Sequence, residues 1–220
     1  MGTFAVGTNP DGLAIDSSGN VWVGNFGSNS VSKLNSAGTL LGTFTVNAGP
    51  IGIAVDASGN IWVACRTGLT VMKLSNSGSV LGTYTLSHSP EFIAIDNSGN
   101  LWISNFVTNG TITKMSASSG SVLGTYSVGT SPIGVAIDNN GYVWVTNYDD
   151  ATVMKLSNYT GAILDTYNVG SYPIFVAIDH NGNIWCANAG DDTVTEINLI
   201  ATPSPVSVGS CTTLVLSFFR

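Results

Sequence analysis

Residues able to support acid/base chemistry occur in two loop segments of this sequence. One carries Arg66, and the next reads Ser87-His88-Ser89-Pro90-Glu91. Histidine and glutamate commonly serve as general acid or base, and arginine binds anions. If folding brings Arg66, His88 and Glu91 together, they form a catalytic acid/base pair beside an anion-binding guanidinium. The alternative is a surface ion pair between Arg66 and Glu91, worth at most about 1 kcal/mol, with His88 solvated.

A second set of loop residues combines asparagines with aromatic rings. Such residues can stack on a sugar or peptide and hydrogen-bond to it. The alternative is that the rings only cover the core. The candidate ligand-binding residues are Asn25, Phe26, Asn105, Phe106, Asn147, Tyr148, Tyr172 and Asn188.

Two pairs of adjacent aspartates are the candidate metal ligands: Asp149 with Asp150, and Asp191 with Asp192. Hard cations such as Ca²⁺ or Mg²⁺ require several oxygen ligands, which carboxylates supply. The alternative is that all four are solvated loop acids. No other cofactor is expected.

These loops are positioned by a repeat of about 41 residues, which the five tryptophans mark. Each Trp follows a block that runs from a proline to an aspartate, as from Pro50 to Asp56, and then a tight turn containing glycine. A repeat of this length is typical of stacked or circular architectures. The tryptophans are Trp22, Trp62, Trp102, Trp144 and Trp185.

Each repeat contains four short runs rich in β-branched and aromatic residues, bounded by Gly, Asn, Ser or Pro. In the first repeat these runs, strands a to d, cover about 12–16, 20–24, 30–34 and 40–46. Four antiparallel strands in 40 to 45 residues form one blade of a β-propeller. The sequence therefore predicts an all-β, five-bladed β-propeller. The aspartate ending strand a is expected to accept backbone N–H bonds in the turn, and the Trp to wedge between blades.

Both ends of the repeat region suggest how the ring closes. Residues 1–6 match strand d, whereas the last repeat contains only strands a to c and ends near Ile197. We expect the N-terminal strand to pair with the last blade, which would remove exposed strand edges. The alternative is that five repeats are part of a larger ring. In the closed-ring prediction, residues 1–198 form the propeller, and residues 199–220 form a C-terminal tail, extra strand or linker.

Composition excludes several functional classes. The net charge is −7 and only 9% of residues are charged, which argues against nucleic acid as a partner. No apolar run approaches the roughly 18 residues of a membrane span. Three cysteines are too few for a disulfide framework. The segment after Met1 does not resemble a signal peptide, although richness in Ser, Thr, Asn and Gly favours an exported or cell-surface protein.

The loops that join d to a and b to c fall on one face of a propeller. We name this the loop face. Seven charged residues outside the repeat pattern map to it, so the face is expected to be acidic. They are Asp11, Arg66, Glu91, Asp149, Asp150, Asp191 and Asp192.

The block from Pro50 to Val63, Pro-Ile-Gly-Ile-Ala-Val-Asp-Ala-Ser-Gly-Asn-Ile-Trp-Val, resembles the repeat of NHL-type propellers and of the streptogramin B lyase-like group. The resemblance covers residues 1–198. NHL-type proteins mostly serve as binding platforms. The lyase relatives open a cyclic peptide lactone at a His-centred, Mg²⁺-dependent site.

The preferred hypothesis is a non-enzymatic binding or scaffold module. It would present an acidic, Asn- and aromatic-lined loop face to a protein, peptide or glycan. The alternative is a lyase-like or hydrolytic enzyme that uses His88 and Glu91, with a divalent cation. A third class is a structural protein that assembles with copies of itself. We expect a monomer, with self-association through the tail as the other outcome.

Overall fold

The computed structural model describes residues 2–199, and these form nineteen β-strands. The strands are β1 (Pro10–Ile15), β2 (Val21–Asn25), β3 (Ser30–Leu34), β4 (Leu40–Thr45), β5 (Pro50–Val55), β6 (Ile61–Cys65), β7 (Thr70–Leu74), β8 (Val80–Thr85), β9 (Pro90–Ile95), β10 (Asn100–Asn105), β11 (Thr111–Ser116), β12 (Val122–Ser127), β13 (Pro132–Ile137), β14 (Val143–Asn147), β15 (Thr152–Leu156), β16 (Ile163–Asn168), β17 (Pro173–Ile178), β18 (Ile184–Asn188) and β19 (Thr193–Ile197). A single 3-10 turn, Phe26–Ser28, joins β2 to β3.

The strands form five antiparallel sheets in chain order. Four sheets have four strands each, β1–β4, β5–β8, β9–β12 and β13–β16, and the fifth has three, β17–β19. The first strands of consecutive sheets contact one another, β1 with β5, β5 with β9, β9 with β13 and β13 with β17. Five blades packed through their inner strands confirm the predicted all-β propeller architecture.

One aspartate organises the turn between the first two strands of each blade. In the third blade, Asp96 Oδ1 accepts backbone N–H bonds from Ser98 at 3.0 Å and Asn100 at 2.8 Å. Its other oxygen accepts the indole N–H of Trp102 at 3.0 Å. The indole bond recurs in all five blades at 3.0–3.1 Å. The sequence predicted the backbone bonds but missed the bond that fixes the tryptophan to the turn.

Each of the first four blades holds its Trp between an aromatic ring and a lysine. Trp62 stacks on Tyr84, with ring centroids 5.7 Å apart, and Lys73 Nζ lies 4.9 Å from the Trp62 ring centroid. Lys73 also donates to the Ala117 carbonyl of the next blade at 2.8 Å. The lysine thus joins consecutive blades, since one ammonium satisfies a backbone acceptor and lies over the indole.

This environment also sets the charge state of the turn aspartate. Burial alone would raise the pKa of Asp56, but hydrogen bonds from Asn60 and Trp62, with the positive charge of Lys73, bring that pKa below its usual value. Asp56 Oδ2 lies 3.6 Å from Lys73 Nζ. The carboxylate is therefore ionised at neutral pH and serves the blade as an acceptor.

The hydrophobic core is divided among the interfaces between blades. Between the third and fourth blades, Trp102 and Ile112 pack against Val143, Val145 and Leu156, all fully buried. Equivalent clusters follow the first, second and fourth blades. Trp22, Trp62, Trp102 and Trp144 are completely buried, so these four fulfil the predicted packing role.

Two glycines of the third blade allow the cost of backbone strain to be measured apart from the cost of overpacking. Gly99 and Gly120 both have positive φ, +76° and +73°, but only Gly120 lies against a ring, that of Tyr84 from the second blade. We expect Gly99→Ala to cost about 1 kcal/mol of unfolding free energy, from backbone strain alone. Gly120→Ala should cost roughly 2 kcal/mol more, because the new methyl overlaps the stacked Tyr84 ring. Urea unfolding of both variants measures the difference, and equal losses would show that the ring moves aside freely.

The predicted closure by the N-terminal strand is not observed. Within residues 2–199, the fifth sheet holds only β17, β18 and β19, and residues 2–6 belong to no strand. Phe4 instead lies beside Gly38 of the first blade. Trp185 is 39% exposed and has no aromatic ring partner among the described residues. Phe4 packs beside Gly38 as Phe44 packs beside Gly78, so residues 2–6 lie where a fourth strand meets the following blade, but within the described residues they do not pair with β19.

The prediction for the C-terminal tail falls on residues 200–220, which lie outside the described residues. Across residues 2–199, no helix has the length and apolar character needed to cross a membrane.

Candidate functional site

The loops predicted to share a face are hydrogen-bonded to each other in each blade. The residue that follows the second strand donates its backbone N–H to the loop preceding the first strand. Arg66 donates to Gly49 O at 2.8 Å, and Phe106 donates to Ser89 O at 2.9 Å. This bond places the two kinds of loop side by side, which gives the loop face a common framework.

Arg66 and Glu91 meet at the junction of the second and third blades. Arg66 Nε lies 2.8 Å from Glu91 Oε1, and the Arg66 guanidinium carbon lies 4.7 Å from the ring centroid of Phe106. The Arg66 side chain is 38% exposed and that of Glu91 only 5%. Although Arg66 Nε is this close, Glu91 Oε1 has no hydrogen-bond partner among the described residues. The pair is a close ion contact with one partner facing solvent.

Burial makes Glu91 a weaker acid than an ordinary glutamate. Loss of solvation raises the pKa of Glu91 to about 7; the positive charge of Arg66 opposes this rise, and the negative charge of Asp11 adds to it. Asp11 and Glu91 occupy the same repeat position, directly after the proline of β1 and of β9. The sequence predicted both residues on the loop face but not this interaction, which acts between the first and third blades.

His88 is the third predicted catalytic residue, and it contacts neither Arg66 nor Glu91 in the described interactions. Its Nδ1 lies 3.2 Å from Ser87 Oγ on the loop before β9. The structure therefore brings two of the three residues together. A catalytic role for His88 stays a prediction.

Cys65 precedes Arg66 but is fully buried in β6. Burial raises the pKa of the Cys65 thiol to about 11, so the thiol stays protonated at neutral pH.

The four candidate asparagines are buried within their own blades. Asn105 Nδ2 donates to Thr111 Oγ1 at 3.0 Å and to Thr113 Oγ1 at 2.9 Å, both on the neighbouring strand β11. Asn25 Nδ2 bonds similarly to two serine hydroxyls. Asn147 and Asn188 also donate to threonine hydroxyls of the next strand. The asparagines hold the second and third strands together, and a ligand-binding role for them stays untested.

The candidate aromatic residues form contacts between neighbouring blades. Tyr148 of the fourth blade stacks on Tyr172 of the fifth, with ring centroids 4.6 Å apart and an interplanar angle of 20°. Tyr172 is 48% exposed. Phe26 lies against Gly49 of the second blade. Each of these rings is half-buried or exposed on the loop face, so their faces or edges remain accessible to a ligand.

Two further rings meet edge to face among the inner strands. Phe92 of β9 and Phe175 of β17 have centroids 5.1 Å apart, although their blades are not neighbours in sequence. Each stands where other blades have glycine, at positions such as Gly52 and Gly134. The contact shows that bulky residues at this repeat position reach across the space between the inner strands.

The candidate metal ligands accept hydrogen bonds from neighbouring loops. Asp149 Oδ2 accepts from Ser131 Oγ at 2.6 Å, and Asp150 Oδ2 accepts from the Thr130 backbone N–H at 2.7 Å. Asp191 accepts from Ser171 N at 2.9 Å and from Thr193 Oγ1 at 2.7 Å. Within residues 2–199, no three His, Cys, Asp or Glu side chains converge on a site that could hold a metal ion. The aspartates organise their loops, and a metal-binding role stays a prediction.

Neither a protein-family model nor a curated protein matches the sequence. Solved structures match the fold with probability 1.00. A streptogramin B lyase is 24% identical at a TM-score of 0.72, over 85% of this chain and 67% of that one. A catalytically inactive His-to-Ala variant of virginiamycin B lyase from Staphylococcus aureus, solved with quinupristin, is 18% identical at a TM-score of 0.75, and the match covers 90% of this chain and 72% of that one. The WD40 propeller domain of Doa1 is 18% identical at a TM-score of 0.74, and the match covers 85% of this chain and 62% of that one.

These likenesses agree with the fold that the repeat predicts. The identities lie below 25%, so they concern the arrangement of blades and leave the chemistry of the loop face open. The chain is a β-propeller, and its fold is similar to that of streptogramin B lyase.

Proposed function

We propose that this protein is a binding module whose loop face captures a positively charged segment of a protein or peptide. The observation that carries the proposal is that exposed acids occur on the loop segments that also hold the stacked rings of Tyr148 and Tyr172. The exposed acids are Asp11, Asp149, Asp150, Asp191 and Asp192. Arg66 is the one Lys or Arg among the loop-face residues named above, and it lies against Glu91. An acidic surface of this kind attracts cationic partners and disfavours anionic ones.

Tyr172 supports the proposal because its position is a strained one for tyrosine. Its φ is +52°, and positive φ also occurs at the same repeat position in three other blades, at Asn9, Gly49 and Ser131. A bulky residue at positive φ costs about 1–2 kcal/mol. The strain is tolerated where the ring stacks on Tyr148 and remains half-exposed. Tyrosine pairs of this type are frequent anchors in protein interfaces.

Panning a library of random dodecapeptides against the immobilised protein tests this function. We expect the selected peptides to be enriched in Lys and Arg, and their binding to weaken as NaCl is raised. Tyr172→Gly should reduce their affinity roughly tenfold, because the variant removes one half of the aromatic stack. The same variant relieves the positive φ, so its stability should be unchanged or higher.

Tyr159→Ala is the matched control, since Tyr159 is 85% exposed in the turn between the third and fourth strands of the fourth blade, on the opposite face. It should leave peptide affinity unchanged. Selection of acidic peptides, or equal affinity for Tyr172→Gly and wild type, would contradict the proposal. Binding to a glycan array without peptide binding would assign a different partner class.

A second candidate function is a lyase-like or hydrolytic activity, and the acidity of Glu91 favours it. A carboxyl with a pKa of about 7 suits a general acid or base at neutral pH. Incubation with quinupristin and Mg²⁺, followed by mass spectrometry, distinguishes the two functions. An enzyme would convert the compound, and Glu91→Gln would abolish the conversion. The binding module that we propose would leave the compound intact.

A further inference from the structure

The two ends of the blade series expose apolar surfaces that are buried everywhere else in the propeller. The first face, on the first blade, includes Leu13 and Ile15, which are 61% and 63% exposed. In the second blade, the counterpart of Leu13 is Ile53, which is 8% exposed, and the counterpart of Ile15 is Val55, which is half-buried. The last face, on the fifth blade, includes Trp185 and Val194, which are 39% and 63% exposed. Their counterparts Trp144 and Val153 are completely buried.

The internal interfaces show what covers surfaces of each kind. Between the first two blades, Trp22 and Val31 pack against Ile53, Ile61 and Val63. By repeat position, Trp185 and Val194 of the last face correspond to Trp22 and Val31. Leu13, Val21 and Val23 of the first face correspond to the three residues that receive them. The two ends are therefore the complementary halves of one standard interface.

The fourth strand is distributed between the ends in the same way. The Gly-Thr-Phe-x-Val pattern of residues 2–6 matches residues 42–46, most of which lie in β4. Phe4 lies beside Gly38 as Phe44 lies beside Gly78. In the part of the chain that the structure describes, residues 2–6 have no strand partner and β19 has no fourth strand beside it. Each end thus carries the element that the other lacks.

We infer that two copies of this chain associate end to end, the last face of one copy packing against the first face of the other. Residues 2–6 of the second copy pair with β19 of the first as its fourth strand, and Phe4 stacks on Trp185 of the partner subunit. The association satisfies the open edge of β19 and buries both apolar faces. Because different surfaces meet, each pair leaves one free face of each kind, and further copies add by the same contact.

One polar position distinguishes this junction from the internal ones. Glu196 of β19 stands where the other blades have the lysine that lies over tryptophan, such as Lys33. Lys33 Nζ donates to Asn76 Oδ1 and O at 2.7 Å. Ser36 occupies the position of Asn76 on the first face. A carboxylate from one copy therefore meets a hydroxyl donor from the next, which reverses the donor and acceptor of the internal pair.

Multi-angle light scattering on the full chain, from about 1 µM to about 100 µM, tests the association. We expect the mass to rise with concentration above that of one chain. Trp185→Glu disables only the last face, and Leu13→Glu disables only the first face. Each variant alone should stay monomeric. An equimolar mixture should form dimers that grow no further, because only one intact face of each kind remains.

Tyr159→Ser is the control for loss of an exposed ring elsewhere, and it should assemble like wild type. Phe4→Glu provides a second first-face variant, since Phe4 is half-exposed. Circular dichroism identifies the variants that remain folded. A single-chain mass for wild type at every concentration would overturn the inference. So would assembly of either folded variant alone, or a monomeric mixture.

Discussion

Replacing Trp102 by alanine will lower the free energy of unfolding by about 4 kcal/mol, whereas the same change at Trp185 will lower it by about 1 kcal/mol. The two residues occupy one repeat position and make the same bond to their turn aspartate. They differ in what surrounds the ring. Trp102 is completely buried between two blades, and Trp185 is 39% exposed on the last face.

Four losses add up at Trp102. The cavity left by a buried indole dominates. Tyr126 loses its stacking partner at 5.7 Å, and Lys114 loses the ring that its ammonium faces at 5.1 Å. Asp96 Oδ2 also loses the indole donor at 3.0 Å, although Asp96 stays buried. At Trp185 the aspartate is also deprived of its donor, but among residues 2–199 no second ring stacks on Trp185 and no following blade covers it.

Urea unfolding monitored by circular dichroism measures both losses, at a concentration low enough to keep copies separate. Trp102→Phe provides a milder change if the alanine variant does not fold, and it should cost about half as much. Equal losses at the two positions would mean that the interfaces between blades contribute little to stability. The packing argument for the propeller would then be wrong.

The sequence predicted the blades because the repeat makes local and tertiary requirements coincide. Pro50 to Asp56, a glycine turn and Trp62 recur five times, so one consistent interpretation fits every copy. Interactions with a partner beyond the turn were less accessible. The bond from Trp62 to Asp56 and the reach of Lys73 to Ala117 depend on side-chain directions that spacing alone does not give.

The predicted pairing of the N-terminal strand with the last blade is not observed, for a related reason. The match between residues 2–6 and strand d was correct, since Phe4 packs beside Gly38 as the repeat requires. Sequence matching does not report how far five blades extend around an axis, because this depends on the angle between neighbouring sheets.

At the candidate site, too, the repeat predicts which loops are neighbours but not the conformation of each loop. The repeat placed Arg66, His88 and Glu91 on loops of adjacent blades, and the structure brings Arg66 to Glu91, whereas the contacts of His88 depend on loop conformation.

Glu91 makes the stability of the protein fall as the pH rises from about 4.5 to about 7. Burial raises the pKa of Glu91 in the folded chain to about 7, whereas its ordinary value is 4.5. Within this window the folded state holds a proton that the unfolded state has released. The stabilisation that Glu91 contributes is therefore complete below its ordinary pKa of 4.5 and is lost as the pH rises to its folded pKa of about 7. Since each unit corresponds to 1.36 kcal/mol, the loss amounts to about 3 kcal/mol.

Other carboxyl groups act in the opposite direction but at lower pH. The pKa of Asp56 is lowered by its hydrogen bonds, and the pKa of Asp179 falls to about 2, chiefly through the bond from Trp185. Their contributions are lost as the pH falls below about 4, since they must then be protonated. The interval above pH 4.5 thus isolates Glu91.

Glu91→Gln should flatten the stability profile between pH 4.5 and 7 and make the protein more stable than wild type at pH 8, because no buried charge then forms.

Substitutions of two neighbouring charged residues should move this pH window in opposite directions. Asp11→Asn removes a charge that raises the pKa of Glu91, so the window should end at lower pH. Arg66→Gln removes the opposing charge, so it should end at higher pH. Urea unfolding at half-unit pH steps measures all four proteins. Parallel profiles for wild type and Glu91→Gln would mean that solvent reaches the carboxylate. Glu91 would then have neither the acidity for acid/base chemistry nor a hold on Arg66 stronger than that of a surface ion pair.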